Sequence, residues 1–226
     1  MGLKIVGTPI GNLSDISQRA LKVLKSVDAI LCEDTRQTIK LMNHYLISKK
    51  LISFNDRNSS QKIPKLVKEM KKGVEYALVS DAGMPVISDP GLKLIDACHK
   101  HNIPIDVIPG PSAVVCAIAA SGLNASHFVF LGFLPRGSKM RKLLREVSQL
   151  NMATVFYESP YRLKETLKEI CNISPTSKIF VAREMTKLHQ SFYRGSPCEL
   201  SDAINFVGEM TIVVEWKKEN KNVKTC

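Results

Sequence analysis

The sequence predicts an α/β protein built as two domains. Three observations predict it. Short apolar runs alternate with amphipathic stretches of helical spacing along the whole chain. In the first half, loops rich in Gly, Pro and polar residues follow one apolar run after another. The alternation stops at a segment of small and polar residues, 122–127, and then restarts, which divides the chain into domains 1–122 and 123–226.

Residues 3–6 are an apolar strand ending in the turn-rich Gly7-Thr8-Pro9-Ile10-Gly11. Ser14 or Asp15 caps a helix whose apolar positions Ile16, Ala20, Leu24 and Val27 share one face. A strand at 29–32 and a helix at 35–45 follow, then a strand at 51–54. Ile63, Leu66, Val67 and Met70 mark a helix at 62–72 that Gly73 stops. A strand at 76–79 runs into the loop 80–91; a helix then extends to about residue 101, a strand spans 105–108, and a small-residue helix at 112–121 ends at Gly122. In the second block, strands are expected at 128–131, 153–157, 179–182 and 210–215, helices at 139–150 and 161–170, and a weak helix at 200–206. Residues 217–226 read as a frayed polar tail.

With 44% hydrophobic and 23% charged residues among 226, the composition is that of a globular protein. The net charge of +11 divides into +5 for residues 1–112 (16 basic, 11 acidic) and +6 for 113–226 (16 basic, 10 acidic), so no basic tail explains it. Such a surface concentrates phosphate polyanions, although general basicity that serves solubility produces the same total. From Val107 to Pro135 there is no charged residue, but Pro109, Gly110, Pro111 and Gly122 interrupt the stretch. Its apolar run 113–120 is far shorter than the ~20 residues a span needs. The expectation is a soluble, cytoplasmic protein with no membrane partner. Six cysteines show no C-x-x-C pair and no metal-ligand spacing, so no metal is expected. Cys32, Cys98, Cys116 and Cys171 lie among apolar residues, which suits small buried thiols in a reducing compartment.

Ligands of α/β folds sit beyond the carboxyl ends of strands. Four such loops carry the residue types a ligand needs: Gly7–Leu13, Glu33-Asp34-Thr35-Arg36, Ser80–Gly91 and Pro109-Gly110-Pro111-Ser112-Ala113. Glycine lets backbone approach a ligand, and proline holds the loop in advance. Neither a G-x-G-x-x-G fingerprint nor a Walker lysine motif occurs. Each loop alone is more often a plain turn than a site; all four in succession point to a site. Arg136, Lys139, Arg141, Lys142 and Arg145 place five basic side chains within ten residues at a loop–helix junction, either as a phosphate-contacting patch or as a solvated helix face.

These segments, VGTPIGNL, EDTR, SDAGMPVISDPG, PGPSA, GFLPRGSK, FYESPYRL, AREMTK and GEMTIVVE, occur in this order. They resemble the ribosomal small-subunit (16S) RNA cytidine-2′-O-methyltransferase family of the tetrapyrrole-methylase superfamily. The resemblance runs from about residue 5 to residue 215. It implies two α/β domains with S-adenosylmethionine in the cleft between them, methylation of a cytidine ribose in the decoding centre of 16S rRNA or the small ribosomal subunit, and a homodimer. The implied cofactor residues are Pro9, Asp81, Ala82, Gly83, Met84, Ile87, Ser112, Ala113, Phe156, Tyr157, Ala182 and Met210. Asp81 would take the cofactor's ammonium or ribose, or else serves as a turn residue.

Methyl transfer is a displacement on carbon already activated by a sulfonium, so alignment dominates and a base need not be strong. Asp34, Glu158 and Glu184 are candidate bases, and Arg36, Arg183 and Lys187 candidate cations near the reacting hydroxyl; Asp34, Arg36, Glu184 and Lys187 form the favoured set. The chain departs from the family in three places. Asn55-Asp56-Arg57-Asn58 stands where the family commonly has His-Asp/Glu-His-Asn, Gln190 stands where it usually has Glu, and the sequence stops at Cys226 where many relatives add a helical extension. If that extension grips the ribosome, affinity in this chain rests on the basic surface. Two other readings remain beside RNA methylation: methylation of a tetrapyrrole or other small molecule, and an RNA-binding protein that has lost the chemistry.

Overall fold

The computed structural model describes residues 2–203 and 207–217. The chain folds as two units, Met1–Ser112 and Ala113–Cys226. The helix that closes the first block of the sequence therefore belongs to the second unit, ten residues before the expected boundary at 122.

The first unit runs β1 (Leu3–Val6), α1 (Gln18–Ser26), β2 (Ala29–Cys32), α2 (Thr35–His44), β3 (Lys50–Ser53), α3 (Ser59–Met70), β4 (Tyr76–Val79), α4 (Leu92–Lys100) and β5 (Ile105–Ile108). Its five strands form a wholly parallel sheet in the order β3-β2-β4-β1-β5. The near-continuous apolar strands follow from this, because both faces are covered. Leu3, Ile5, Ala29, Leu31, Tyr76 and Leu78 pack against α3 and α4. The alternate residues Val6, Ile30, Cys32, Ala77 and Val79 pack against α1 and α2.

Two helix starts differ from expectation. Ser17, not Ser14 or Asp15, caps α1, its Oγ accepting the Ala20 N–H at 3.0 Å; residues Leu13–Asp15 form a separate 3-10 turn capped by Asn12. Helix α3 begins at Ser59 rather than at residue 62, so Pro64 lies inside it.

The second unit runs α5 (Ala113–Ser121), β6 (Phe128–Phe133), α6 (Ser138–Ser148), β7 (Ala153–Glu158), α7 (Pro160–Ile173), β8 (Lys178–Arg183), β9 (Ser191–Gly195), α8 (Pro197–Ala203) and β10 (Met210–Glu215). Its sheet has the order β6-β7-β10-β8-β9, with β6–β7 parallel and the other pairs antiparallel. Phe156, Ile179, Val181, Ile212 and Val214 form the core with α6 and α7, while α5 packs on β8 and β10. Strand β9 was not expected: its SFYRG carries an arginine and a glycine, and as an edge strand it has only β8 to pair with. Helix α8 starts earlier than residue 200, and its expected continuation to 206 falls outside the described residues, as does the tail beyond Lys217. Lys217 itself is anchored, its carbonyl accepting from Ser174 Oγ and its N–H donating to Ser177 Oγ.

The cysteine reading needs correction. Cys32 and Cys98 are buried thiols, as expected, but Cys116 is exposed on α5 and Cys171 is disulfide-bonded to Cys198. The reason is that α7 and α8 pack together and bring these Cα atoms within 5.2 Å, inside bonding range.

Candidate active site

In the first unit, the chain leaves β1 toward β2 and leaves β4 toward β5, although β1 and β4 are neighbours. Their carboxyl ends therefore lie where crossovers leave the sheet in opposite directions, as those of β2 and β4 do beside them, an arrangement that opens a crevice in parallel sheets. The loops after β1 and β4 are tied across it. Thr8 and Gly83 form an isolated bridge, with Thr8 N–H donating to Gly83 O at 2.9 Å and Gly83 N–H to Thr8 O at 3.2 Å. The Thr8 hydroxyl donates to the Ser80 and Gly83 carbonyls, and Ser80 Oγ to those of Ala82 and Gly83.

Gly7 and Gly110 pack backbone on backbone: a Cβ on Gly7 would lie 2.7 Å from Gly110 Cα and from Met84 Sδ. Val86 and Ser88 hold φ of 77° and 69°, conformations that side chains resist and that cluster at ligand sites. Pro9 is buried here, Met84 half-buried, and Asp81, Ala82 and Ile87 exposed at the rim. Half-buried Ser112 ends this unit; Ala113 opens α5 in the next.

Four carboxylates, Glu33, Asp34, Asp81 and Asp89, belong to the loops at this end of the sheet. Asp34 N–H donates to Asp81 Oδ1 at 3.2 Å. Burial, reinforced by the Asp34 charge, raises the Asp81 carboxyl above its ordinary value. Burial and the Asp81 charge likewise raise Glu33. Asp89 is pushed up to about 6 by burial and then by Glu33 and Asp81. Asp34 is the opposite case. Arg36 Nε and Nη2 donate to its carboxylate at 3.0 and 2.7 Å, and these bonds, with the Arg36 N–H, hold it at about 2. Burial is the largest cause in all three, and the neighbouring carboxylates add to it, so the acidic groups at this end of the sheet disfavour one another's charge. Asp89 was not singled out in the sequence; its place in the SDPG run of the same loop was the available signal.

In the second unit, Met210 lies opposite both Glu158 and Arg183 in the sheet register, so Phe156, Tyr157, Ala182 and Met210 gather near one end of the sheet. Phe156, Ala182 and Met210 are buried in the unit's interior, in strands paired on both sides. Tyr157 is half-buried and stacks edge-to-face on Phe130, with Phe133 tilted beside it at 5.3 Å. These two phenylalanines, missed in the sequence, make an aromatic platform that their position in an ordinary apolar strand does not advertise.

Glu184 follows β8 with φ of 49°. Its Oε1 accepts the Glu209 N–H at 2.7 Å and the Lys187 ammonium at 3.0 Å, and Lys187 also reaches Glu209 Oε2 at 3.0 Å. Burial alone would raise Glu184 and lower Lys187; the Glu209 N–H and the Glu184–Lys187 pairing reverse both shifts, so each stays charged. Glu158 is 2% exposed and bonded to Thr166, Ser159 and Arg162, which places this candidate base in the core. Arg183 is spent on the carbonyls of Val207 and His189 and on Ser191 Oγ.

Two of the family departures have structural explanations. Gln190 Oε1 accepts the Thr186 N–H at 2.7 Å, a task that any side-chain carbonyl oxygen performs, Glu included. Asn55 and Asn58 exchange backbone-to-side-chain hydrogen bonds and so lock the turn into α3 without histidine. The five basic residues from Arg136 to Arg145 are all exposed, while Met140, Leu144 and Val147 bury the other face of α6. Among the described residues, the pairs that engage them are weak surface ones: Arg141 with Glu169 at 3.7 Å and Lys142 with Glu146 at 3.9 Å. A cavity of about 320 Å³ between His127, Asn151, Met152 and Trp216 lies at the opposite end of the second sheet and contains none of the expected site residues. Among the described residues, no group of His, Cys, Asp or Glu is placed to hold a metal ion, and no helix is long and apolar enough to cross a membrane.

A wholly parallel sheet followed in the same chain by a mixed one is the α/β architecture of a tetrapyrrole methylase. The family model described as Tetrapyrrole (Corrin/Porphyrin) Methylases matches residues 2–200. The solved uroporphyrin-III-C-methyltransferase of Thermus thermophilus shares the fold, with a TM-score of 0.62, 17% identity and 93% of each chain covered. Sequence relatives are narrower. The Ribosomal RNA small subunit methyltransferase I of Thermotoga maritima is 51% identical over 96% of this chain and 99% of its own. Those of Halalkalibacterium halodurans (44% identity; 95% and 73% covered) and Escherichia coli O157:H7 (40%; 96% and 78%) are also similar. The chain belongs to the ribosomal RNA small subunit methyltransferase I family, within the tetrapyrrole methylases, and the motif resemblance is borne out.

Proposed function

We propose that this protein transfers a methyl group from S-adenosylmethionine to the ribose 2′-hydroxyl of a cytidine in the decoding centre of small-subunit ribosomal RNA. The observation that carries the substrate class is the 51% identity, over nearly the full length of both chains, with a protein named for ribosomal RNA methylation. The likeness to the uroporphyrin enzyme concerns fold alone, and a net charge of +11 suits an RNA partner better than a porphyrinogen.

The residues support a division of labour. Asp81, with the backbone of Ala82, Gly83, Met84 and Ile87 and with Pro9, Ser112 and Ala113, would bind the cofactor; Phe156, Tyr157, Ala182 and Met210 are the contacts that the family resemblance implies on the second unit. The cofactor supplies a methyl carbon on a positively charged sulfur. What the chain must add is alignment of the 2′-oxygen and an outlet for its proton. Asp34, held at about 2, is a weak base, and so is the lowered Glu184. Neither is tuned for strong proton abstraction, which agrees with a reaction governed by positioning. Arg36 and Lys187 keep their positive charge and are suited to steady the flanking phosphates. Arg136, Lys139, Arg141, Lys142 and Arg145 would hold the RNA backbone further out. The resemblance also supports a homodimer and a cytoplasmic location.

Radiolabelled S-adenosylmethionine, offered with unmodified small subunits, free ribosomal RNA and a porphyrinogen in parallel, tests this reading. Label in RNA is the expected result. Label in the porphyrinogen transfers the function to small-molecule methylation, and cofactor binding without label in any acceptor rejects the RNA reading.

A further inference from the structure

We propose that Arg162 is a positioning residue that fixes the loop presenting Arg136 to RNA, and that Glu158 in turn fixes Arg162. The inference rests on the proposed RNA methylation and gives the core carboxylate at the end of β7 a task that is not proton transfer.

The side chain of Glu158 has no exposed surface. Thr166 Oγ–H donates to its Oε2 at 2.7 Å and the Ser159 N–H to its Oε1 at 2.8 Å, while Arg162 Nε stands 3.5 Å from Oε1. Burying a carboxylate is costly unless it is paired and hydrogen-bonded, and these partners meet that requirement. The guanidinium so anchored extends its other edge away from α7. Arg162 Nη2 donates to the carbonyls of Leu134 at 3.0 Å and Pro135 at 2.7 Å, the two residues before Arg136.

Leu134 is buried in the core of the second unit, which holds the start of the loop, but its residues after Pro135 have no such anchor. Gly137 sits at φ 60° with open space around it, and no side chain caps α6. The chain Thr166–Glu158–Arg162–Leu134/Pro135 thus connects the interior of the second unit to the backbone from which Arg136 and Lys139 project. Lysine would keep the charge but not the planar fork that meets a carboxylate with one nitrogen and carbonyls with another.

Steady-state kinetics on unmodified small subunits with Arg162→Lys, Arg136→Ala and the double variant test the proposal. Arg162→Lys should raise KM for subunits about tenfold, with kcat and cofactor affinity within about twofold of wild type. In the Arg136→Ala background its effect should shrink to about threefold or less, because both changes remove the same contact. Hydrogen exchange should quicken in residues 136–142 and stay unchanged in β8 and β10. An unchanged KM overturns the proposal. So does a fall in kcat and cofactor affinity alongside KM, which marks a general core role, and so do additive effects. If the wild type methylates no subunits, the functional reading has failed and exchange alone decides: quickening confined to 136–142 upholds the clamp, and no quickening overturns it.

Discussion

Thr8 and Gly83 bond to each other twice through their backbones, although 75 residues separate them. This bridge joins the loop after β1 to the loop after β4, neighbouring strands whose crossovers leave in opposite directions along the sheet. Around it, Gly7 meets Gly110 without room for a side chain on either. The crevice is therefore shaped by main chain, and the carboxylates of Asp81 and Asp89 are set by the loop that the bridge restrains.

Gly7→Ala should damage both stability and binding. Its Cβ would stand 2.7 Å from Gly110 Cα and N, which are backbone atoms that cannot rotate away. Overpacking of this kind costs about 1–3 kcal/mol. A thermal melt lowered by several degrees, with weaker cofactor binding in calorimetry, is the expected pair of results.

Asp81→Ala should weaken cofactor binding at least about tenfold, the cost of removing a charged partner from an ammonium or hydroxyl. Titration calorimetry reads this directly, and unchanged affinity removes Asp81 from the site.

Reversing Arg141 and Lys142 to Glu together should cut RNA methylation while leaving cofactor affinity intact, and should flatten the dependence of subunit binding on salt. Both side chains are exposed and make only long surface pairs, so the fold should survive. Wild-type turnover by this variant would assign α6 to solvent alone.

Asp89 gives a pH signature. Its carboxyl is raised from 3.8 to about 6, first by burial and then by Glu33 and Asp81, with Ser80 opposing. The folded state therefore holds this proton more tightly than the unfolded chain. The stability Asp89 contributes is full below its unfolded value and is lost as pH rises toward about 6. The whole shift corresponds to about 3 kcal/mol, which solvent screening of a half-buried group reduces to about 1 kcal/mol. Asp89→Asn should thus be more stable than wild type by about 1 kcal/mol at pH 7.5, with most of the difference gone at pH 4. A stability difference that ignores pH would contradict burial of the Asp89 carboxyl as its cause.

The first unit was readable because its strands are short and mostly apolar and end in loops that are polar or rich in Gly and Pro; parallel pairing leaves a run such as YALV almost no alternative. Strand β9 was not readable, since an edge strand with an arginine and a glycine lacks the apolar repeat that burial imposes. Ser17 was passed over as the α1 cap because Ser14 and Asp15 offer the same chemistry three and two residues earlier, and the 3-10 turn decides among them. Asp34, Glu184, Arg36 and Lys187 stood out in the sequence, but that Arg36 pairs with Asp34, and Lys187 and the Glu209 N–H with Glu184, so lowering both carboxyls, depends on how the folded loops turn. The Cys171–Cys198 bond was hidden for the same reason: it depends on how α7 meets α8.

The position of the transferred methyl group decides the function. Unmodified small subunits should be incubated with the protein and S-adenosylmethionine, and their RNA digested to nucleosides for mass spectrometry. New 2′-O-methylcytidine, absent when the cofactor is withheld, is the predicted result. A methyl group on a base, or methylated subunits without 2′-O-methylcytidine, would contradict ribose methylation.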